Sequence, residues 1–283
     1  MKPEAIAHRD SYDPLRALRV AGVVLALAAG VALPARAGKA FDETYDRIVP
    51  LPSGGSFSLS NVNGTVEVLG WEREEVSVHA VKWAKNSPAD LARVRIEIDG
   101  RGGSVAVRTI YPRNEDVEVN VEYRIRVPRR VLLRRVETIN GDVRVRGVEG
   151  TGELRSVNGN VDLRDAGGPF SARTTNGNIR MELRSLESSA EPATLPARFV
   201  SSATPAQSVE TVNGSVVIEL DKRASAELEI SCLNGDFRSQ LPVEPQASGS
   251  PQVFRGRLGH GGAPLHIRTV NGGIRLLVAR PMV

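Results

Sequence analysis

Seven Asn-Gly dipeptides divide this chain, and the residues around each one repeat almost position by position. From Asn140 onward the Asn residues are separated by 18, 18, 37, 21 and 37 residues, so the longer gaps are close to two short ones. A fixed period of this size is typical of an architecture that stacks one small unit many times. The predicted structural turns are Asn63-Gly64, Asn140-Gly141, Asn158-Gly159, Asn176-Gly177, Asn213-Gly214, Asn234-Gly235 and Asn271-Gly272.

The residues around each Asn alternate between apolar and charged. Four positions before it stand Leu59, Val136, Leu154, Ala172, Val209, Ile230 and Ile267. Three positions after it stand Val66, Val143, Val161, Ile179, Val216, Phe237 and Ile274. The fifth position after it is also apolar, except at Ser239, whereas the fourth is mostly charged. This period of two indicates strands with one buried face on both sides of every Asn-Gly.

Two folds satisfy this pattern. Asn and Gly both tolerate positive φ, so each dipeptide could be the type I′ turn of an antiparallel hairpin meander. Alternatively each could be a corner of a right-handed β-solenoid with coils of about 18 residues, whose equivalent strands stack in parallel. The constant short spacing favours the solenoid, because every coil must match its neighbour. Such stacking would also align the Asn side chains into a ladder.

The chain divides into three predicted segments. Residues 1–37 are interpreted as a signal peptide, since an apolar run from Val20 to Leu33 follows Arg16 and Arg19 and ends at Ala35-Arg36-Ala37. Residues 38–131 are expected to hold the first repeat and, from about residue 72 to 127, a separate antiparallel β block with one helical turn near Pro88–Arg93. Residues 132–283 are expected to form the main repeat array, which two Ser-, Pro- and Gly-rich loops interrupt at residues 185–207 and 242–264.

The charge and composition point away from several function classes. Removing residues 1–37 takes away five Lys/Arg and three Asp/Glu from the total, which lowers the net charge from +4 to +2. A balance this close to neutral argues against a dedicated nucleic-acid binder. No transmembrane segment is expected after signal cleavage. The single cysteine, Cys232, falls at a small inward position of its repeat, and a buried structural thiol is expected there.

The sequence offers no catalytic motif, so we expect no catalytic, cofactor-binding or metal-ligating residues. None of the four histidines has a partner at metal-ligand spacing. Asp142, Asp162 and Asp236 follow their Asn-Gly turns closely, but stacking would continue the column of Asp142 with Asn160 and Asn178. A catalytic carboxylate pair needs two acids at a set separation. The chain is therefore predicted not to be an enzyme.

One basic cluster is a candidate site for an anionic envelope polymer. Several of its arginines would share a face of alternating strands, although a solvated face balanced by neighbouring Glu residues is the preferred interpretation. The cluster consists of Arg124, Arg126, Arg129, Arg130, Arg134 and Arg135.

The chain resembles the bacterial putative-adhesin family of β-strand-repeat envelope proteins, a domain of unknown function. The matching motifs are Asn61-Val-Asn-Gly-Thr-Val-Glu-Val68, Tyr123-Arg-Ile-Arg-Val-Pro128, Glu137-Thr-Ile-Asn-Gly-Asp-Val-Arg-Val145 and His266-Ile-Arg-Thr-Val-Asn-Gly-Gly-Ile274. The resemblance covers essentially all of residues 38–283. It implies adhesion, and it carries over no catalytic residues.

From these observations we expect an exported, non-catalytic protein of the bacterial periplasm or cell surface. Its expected role is that of a binding or scaffolding surface for an envelope polymer or a protein partner. A second interpretation is an accessory protein of envelope-stress signalling that acts through a protein partner. A glycan-active β-helix enzyme is the third.

Overall fold

The computed structural model describes residues 41–85, 87–112, 117–186, 207–246 and 253–279. The predicted signal peptide and most of the loop between residues 185 and 207 lie outside these ranges. The described residues form one compact unit. No helix within the described ranges is long and apolar enough to cross a membrane.

Within the described residues the fold is all-β apart from one short helix, α1 (Pro88–Arg93). The strands of the first half are β1 (Phe41–Pro50), β2 (Ser56–Ser60), β3 (Val66–Trp71), β4 (Glu75–Ala84), β5 (Arg95–Arg101), β6 (Ser104–Ile110), β7 (Val119–Pro128), β8 (Arg130–Asn140), β9 (Val143–Arg146), β10 (Glu149–Asn158) and β11 (Val161–Gly167). Those of the second half are β12 (Phe170–Arg173), β13 (Ile179–Ser185), β14 (Gln207–Asn213), β15 (Val216–Leu220), β16 (Ala226–Asn234), β17 (Phe237–Ser239), β18 (Val243–Gln246), β19 (Val253–Leu258), β20 (Pro264–Asn271) and β21 (Ile274–Val278).

The strands before the Asn-Gly dipeptides form one hydrogen-bonded series, which we call ladder A. Its spatial order is β5, β6, β2, β8, β10, β12, β14, β20, β16, β19, β18. The pairing is parallel from β6 to β16 and antiparallel at both ends.

The strands after the dipeptides form a second series, ladder B. Its order is β1, β4, β7, β3, β9, β11, β13, β15, β21, β17, and it is parallel from β7 to β17. A single pairing of Glu149 with Gly167 joins the two ladders into one large mixed sheet that is not closed.

Parallel pairing between equivalent strands excludes the antiparallel meander for the described repeats. Strand β8 pairs with β2 and β10, and β9 pairs with β3 and β11, so the two strands that flank Asn140-Gly141 do not form a hairpin. The Cα partners run Asn140 with Asn158 and Val161 with Val143, which are equivalent positions of adjacent repeats. The stacking of like-numbered positions is therefore confirmed.

The predicted interior is also confirmed. All seven residues four positions before Asn are buried, as are those three positions after it except Phe237, which is half-buried. At the fifth position after Asn, only Ser239 is exposed. Both ladders contribute to one buried apolar cluster. Alternation therefore places one face of each ladder toward a common core.

The antiparallel block between residues 72 and 127 is less separate than the sequence suggests. Strands β4 and β7 pair antiparallel, as do β5 and β6, and α1 lies at Pro88–Arg93 as predicted. However, β6 pairs in parallel with β2, and β7 pairs in parallel with β3. The block thus continues both ladders beyond the first Asn-Gly copy. The domain boundary at residue 131 stays a prediction, although pairing of β2 with β8 crosses it.

The prediction that residues 242–264 form a loop is wrong in part. Residues Val243–Gln246 and Val253–Leu258 form the antiparallel pair β18–β19, and β19 also pairs with β16. This pair covers the outer edge of ladder A at the β16 end. Pro245 lies on the outermost strand, where a missing backbone N–H costs no ladder hydrogen bond.

Candidate functional site

The side chains of the seven asparagines form one continuous hydrogen-bonded ladder. Each of six Nδ2 atoms donates to the Oδ1 atom of the preceding Asn in space, over 2.8 or 2.9 Å. The spatial order is Asn63, Asn140, Asn158, Asn176, Asn213, Asn271 and Asn234. All of them except the half-buried Asn63 are exposed. An amide has two N–H groups and two carbonyl lone pairs, so an interior Asn keeps one of each for a ligand.

A second set of hydrogen bonds explains the small residue two positions before Asn. We call each stacked Asn-Gly copy, with its two flanking strands, a rung. The hydroxyl donates to the carbonyl oxygen of the glycine in the adjacent rung, for example from Ser156 to Gly141 at 2.8 Å. Thr138, Thr174, Thr211 and Thr269 make the same bond at 2.8 to 3.0 Å. The turns are therefore tied together from inside as well as from outside.

Close approach of the rungs, and not positive φ, explains most of the glycines. A Cβ atom built on Gly159 would lie 2.0 Å from the carbonyl oxygen of Gly141, and one on Gly214 would lie 1.9 Å from that of Gly177. Among the seven glycines of these dipeptides, φ is positive at three: 122° at Gly64, 150° at Gly272 and 158° at Gly141. Asp165 is the only non-glycine residue with positive φ in the described ranges, so none of the asparagines has it. Positive φ, the sequence-based reason for the turns, is therefore found at some of the glycines but at none of the seven asparagines.

Directly beside the ladder, one position before each Asn, runs a column of side chains that are apolar except for one Thr and exposed except for the half-buried Val62 and Val270. We call it the apolar ridge. In spatial order it comprises Val62, Ile139, Val157, Thr175, Val212, Val270 and Leu233. Ile139, Val157, Val212 and Leu233 are 44%, 41%, 41% and 54% exposed. With strands about 4.8 Å apart, the seven rungs make an edge roughly 29 Å long.

A third column, two positions after Asn, completes this edge. Asp142 Oδ1 accepts a hydrogen bond from the backbone N–H of Asn160 at 2.9 Å, and Asn160 Oδ1 accepts from that of Asn178 at 2.9 Å. Asn178 Oδ1 accepts in turn from the N–H of Ser215 at 2.8 Å. This edge of the protein therefore presents an apolar column with columns of amide side chains beside it. The edge lies between the charged outer faces of the two ladders.

The outward faces of both ladders have a different chemistry, because arginine and carboxylate side chains pair along them. Arg173 pairs with Glu210 at 2.7 Å on ladder A, and Arg180 pairs with Glu219 at 2.5 Å on ladder B. Six large hydrophobic side chains are exposed among the described residues, and four of these lie on the ridge. Sequence reasoning missed the ridge, although an apolar residue at an outward position of the alternation could have shown it.

The six arginines of the predicted anionic-ligand patch are divided between the two ladders. Arg124 and Arg126 lie on β7 in ladder B, whereas Arg134 and Arg135 lie on β8 in ladder A. Arg129, which directly precedes β8, and Arg130, its first residue, both approach Glu149, at 3.2 and 3.9 Å. The patch as a ligand site stays a prediction.

Arg129 and Arg130 of this patch line a polar cleft of about 470 Å³ beside Trp71. The guanidinium of Arg73 lies 5.2 Å from the Trp71 ring centroid, and that of Arg126 lies 5.8 Å from it. Arg124 and Arg135 pair with Glu67 and Glu153 at 3.8 and 3.4 Å. Neighbouring acids therefore balance much of the basic charge.

The carboxylates that could have served an enzyme are each engaged by an arginine two residues later. Asp142 pairs with Arg144 at 2.6 Å, Asp162 with Arg164 at 2.7 Å and Asp236 with Arg238 at 2.6 Å. In the described ranges, no group of three or more His, Cys, Asp or Glu side chains could hold a metal ion.

Cys232 takes the place of the inward hydroxyl in its repeat. Its Sγ donates to the carbonyl oxygen of Gly272 at 3.1 Å, as the threonines do in theirs. The residue is half-buried rather than buried, because it lies in the outermost Asn-Gly rung of the stack. Burial, and then the charge of Asp236, raise the pKa of the thiol.

Solved structures with some similarity to this chain carry names of adhesion and lipid-binding proteins. A putative cell adhesion protein from Clostridium sporogenes is 10% identical, with 84% of this chain and 100% of that chain covered and a TM-score of 0.42. A putative adhesin from Bacteroides fragilis is 10% identical, with 83% and 97% covered and a TM-score of 0.36. A putative lipid binding protein from Parabacteroides distasonis is 8% identical, with 82% and 96% covered and a TM-score of 0.21. No protein-family model and no curated protein matches the chain.

Proposed function

We propose that this chain is an exported, non-enzymatic binding protein of the bacterial cell envelope. In this proposal the two ladders are the walls of a right-handed β-solenoid, and the apolar ridge with the Asn ladder is its binding edge. Export rests on the predicted signal peptide of residues 1–37. The adhesin-like role rests on the surface chemistry of the edge.

One observation supports the binding edge most strongly: exposed aliphatic side chains occupy a single column, while the outer faces carry paired charges. Ile139, Val157, Val212 and Leu233 all lie on this column. Contiguous exposed apolar surface is uncommon on a soluble protein and commonly marks an interaction site. Each rung also offers one unused amide N–H and one carbonyl lone pair beside the aliphatic group.

These features suit an extended envelope polymer that has both apolar faces and hydroxyl groups. A polysaccharide fits this description, because its C–H faces can pack on the ridge while its hydroxyls bond to the asparagines. The long, open edge favours a chain-like ligand over a small molecule, since small ligands bind in concave sites that bury most of their surface.

The experiment is co-sedimentation of the purified protein with purified envelope polysaccharide fractions. The double variant Ile139→Ser and Val212→Ser should weaken binding about tenfold or more, because two contact side chains lose their apolar area. The double variant Val217→Ser and Leu277→Ser is the matched control. It removes two half-buried aliphatic side chains from the outer face of ladder B, away from the ridge.

The outcomes separate the three interpretations of the sequence. Equal binding by the ridge variant and the wild type would remove the ridge as the site. Ridge-dependent binding of a purified protein but of no polysaccharide would favour the signalling role. Turnover of a polysaccharide that Asp142→Asn or Asp162→Asn abolishes would show a glycan-active enzyme.

A further inference from the structure

Strand β1 is a long edge strand with one open side. Its ten residues pair with β4 along their full length, and no other described strand pairs with it. All of its residues are exposed except Tyr45 and Val49, which are half-buried. Phe41 and Ile48 are 40% and 60% exposed, and they are the two exposed large hydrophobic residues outside the ridge. An unpaired edge of this length offers a row of backbone donors and acceptors to another strand.

Side chains of the neighbouring strand β4 hold β1 in place. The ammonium group of Lys82, on β4, contacts Glu43 Oε2 at 2.8 Å and donates to the carbonyl oxygens of Leu91 and Val94 at 3.0 and 3.2 Å. His79 Nδ1 lies 2.7 Å from Asp46 Oδ1. A partner strand would therefore meet a pre-organised edge, which lowers the ordering cost of binding.

We propose that β1 pairs antiparallel with β1 of a second copy of this chain, around a two-fold axis at Tyr45. This interaction is independent of the binding edge proposed above. It would join ladder B of two copies into one continuous sheet.

Strand geometry limits the possible registers. Residues of like parity direct their backbone N–H and C=O groups to the same edge, so an antiparallel self-pairing must place each residue opposite one of the same parity. For a ten-residue strand, four such registers pair seven or more residues. Their two-fold axes pass through Thr44, Tyr45, Asp46 or Arg47.

Charge selects one of the four, because like charges directly opposite one another destabilise a sheet. The axis at Thr44 places Asp42 opposite Asp46. The axis at Asp46 places the two Asp46 residues opposite each other, and the axis at Arg47 does the same for the two arginines. Only the axis at Tyr45 avoids every such clash.

The favoured register is also complementary. It places Arg47 of each copy opposite Glu43 of the other, and Phe41 opposite Val49. No described residue makes an ion pair with Arg47 within one copy, and Glu43, which contacts Lys82 through Oε2, is 49% exposed. Pro50, which has no backbone N–H to donate, falls just outside the nine paired residues.

Sedimentation velocity over a wide concentration range tests the interaction on the protein expressed with its full coding sequence. The wild type should form a dimer. Arg47→Glu should raise the dimer dissociation constant about tenfold or more, because two attractive pairs become repulsive. Arg95→Glu is the matched control, with the same charge change on the edge strand β5 of ladder A, and should leave the constant unchanged.

Disulfide trapping tests the register itself. In a Cys232→Thr background, Tyr45→Cys brings two thiols together at the two-fold axis, with Cα atoms about 4.5–5.5 Å apart, which a disulfide can bridge. Thr44→Cys is the control, because its two copies would be diagonal neighbours about 7–8 Å apart.

An oxidised dimer with Tyr45→Cys and little with Thr44→Cys is the expected result. A monomeric wild type, a dimer insensitive to Arg47→Glu, or equal trapping at both positions would overturn the proposal. Because Arg47 is exposed, its substitution should leave the fold intact even if Tyr45→Cys does not fold.

Discussion

The amide of Asn234 donates to Asn271 at 2.8 Å, although Asn271 belongs to the last repeat of the sequence and Asn234 to the one before it. Asn271 donates in turn to Asn213, at the same distance. The final repeat is therefore inserted between its two predecessors. The opposite end is built in the same way, because β2 lies between β6 and β8. Both the first and the last Asn-Gly repeats are thus covered on two sides.

This order predicts that the C-terminal repeat is an interior part of the stack. A chain that ends after Ala263 loses β20 and β21, and with them the contact that joins β14 to β16. The β14–β17 region should then no longer unfold in one cooperative transition with the rest of the protein. Replacing Val243–Leu258 by a short flexible linker is the control, since it removes only the outer pair β18–β19. Thermal melts and limited proteolysis of the two variants measure the loss of stability. If the truncation destabilises the protein no more than the linker variant does, the interior position of the last repeat is wrong.

Local patterns in the sequence reveal the rungs but not their order. Alternation around each Asn identifies the buried positions, and the spacing predicts the Asn ladder, because both depend on near neighbours. Every Asn-Gly copy can stack on any other, however, so nothing local places Asn271 between Asn213 and Asn234. The chain leaves a gap between β14 and β16 across a connection of only five residues after β15, and it fills that gap with β20 after forming β18 and β19. The ridge was missed for another reason: position-by-position alternation directs attention to inward residues, and Ile139 or Val212 face outward.

The close approach at the turns predicts a severe cost for any side chain at Gly159. A Cβ there would lie 2.0 Å from the Gly141 carbonyl oxygen, which belongs to the backbone and cannot move aside. We expect Gly159→Ala to destabilise the fold by about 3 kcal/mol or more, and Gly159→Val by more still. Chemical denaturation measures this.

Arg180 lies on the outer face of the adjacent repeat, but it pairs with the largely buried Glu219 and is therefore a poor control. The exposed Arg275 is a better control, and Arg275→Ala should change the free energy of unfolding by about 0.5 kcal/mol or less. Equal unfolding free energies for Gly159→Ala and Arg275→Ala would refute the steric explanation.

The Asn ladder predicts a difference between interior and terminal rungs. Asn158 donates to Asn140 and accepts from Asn176, whereas Asn234 makes one ladder bond, to Asn271. Each bond contributes about 0.5–1.5 kcal/mol. Asn158→Ala should therefore cost roughly twice as much unfolding free energy as Asn234→Ala. Urea denaturation of both variants checks this, and a larger cost at Asn234 would argue against an additive ladder.

Cys232 should be replaceable by the residue that its own repeats prefer. In the equivalent positions Thr211 and Thr269 donate to a glycine carbonyl at 2.9 Å, while the weaker thiol donor lies 3.1 Å from Gly272. Cys232→Thr is expected to stabilise the protein by about 0.5–1 kcal/mol, as judged by thermal denaturation.

In the wild type, the raised pKa of the Cys232 thiol predicts slower alkylation by iodoacetamide at neutral pH than in the unfolded protein. Equal rates would contradict the burial of Sγ.

Glu210 gives the stability of ladder A a pH dependence. Burial raises the pKa of this carboxyl, but the hydrogen bond from Ser208 and the charges of Arg173 and Arg268 outweigh it, and the net pKa is lowered. A lowered pKa in the folded state contributes stability above the unfolded value of about 4.3, and this contribution is lost as the pH falls through the folded pKa. Glu210→Gln should therefore lower Tm by about 1–4 °C at pH 7 and progressively less in acid.

The control for this prediction is Glu122→Gln, which neutralises an exposed carboxyl on β7. Its Tm should stay within about 1 °C of the wild type at pH 7. Differential scanning calorimetry across the acidic range compares the two variants with the wild type. Because the pairing of Glu210 with Arg173 joins adjacent strands β12 and β14, the titration tests whether charge pairs on the outer face help to hold neighbouring rungs together. A Tm difference for Glu210→Gln that persists unchanged into strong acid would show that the loss is one of packing and not of charge.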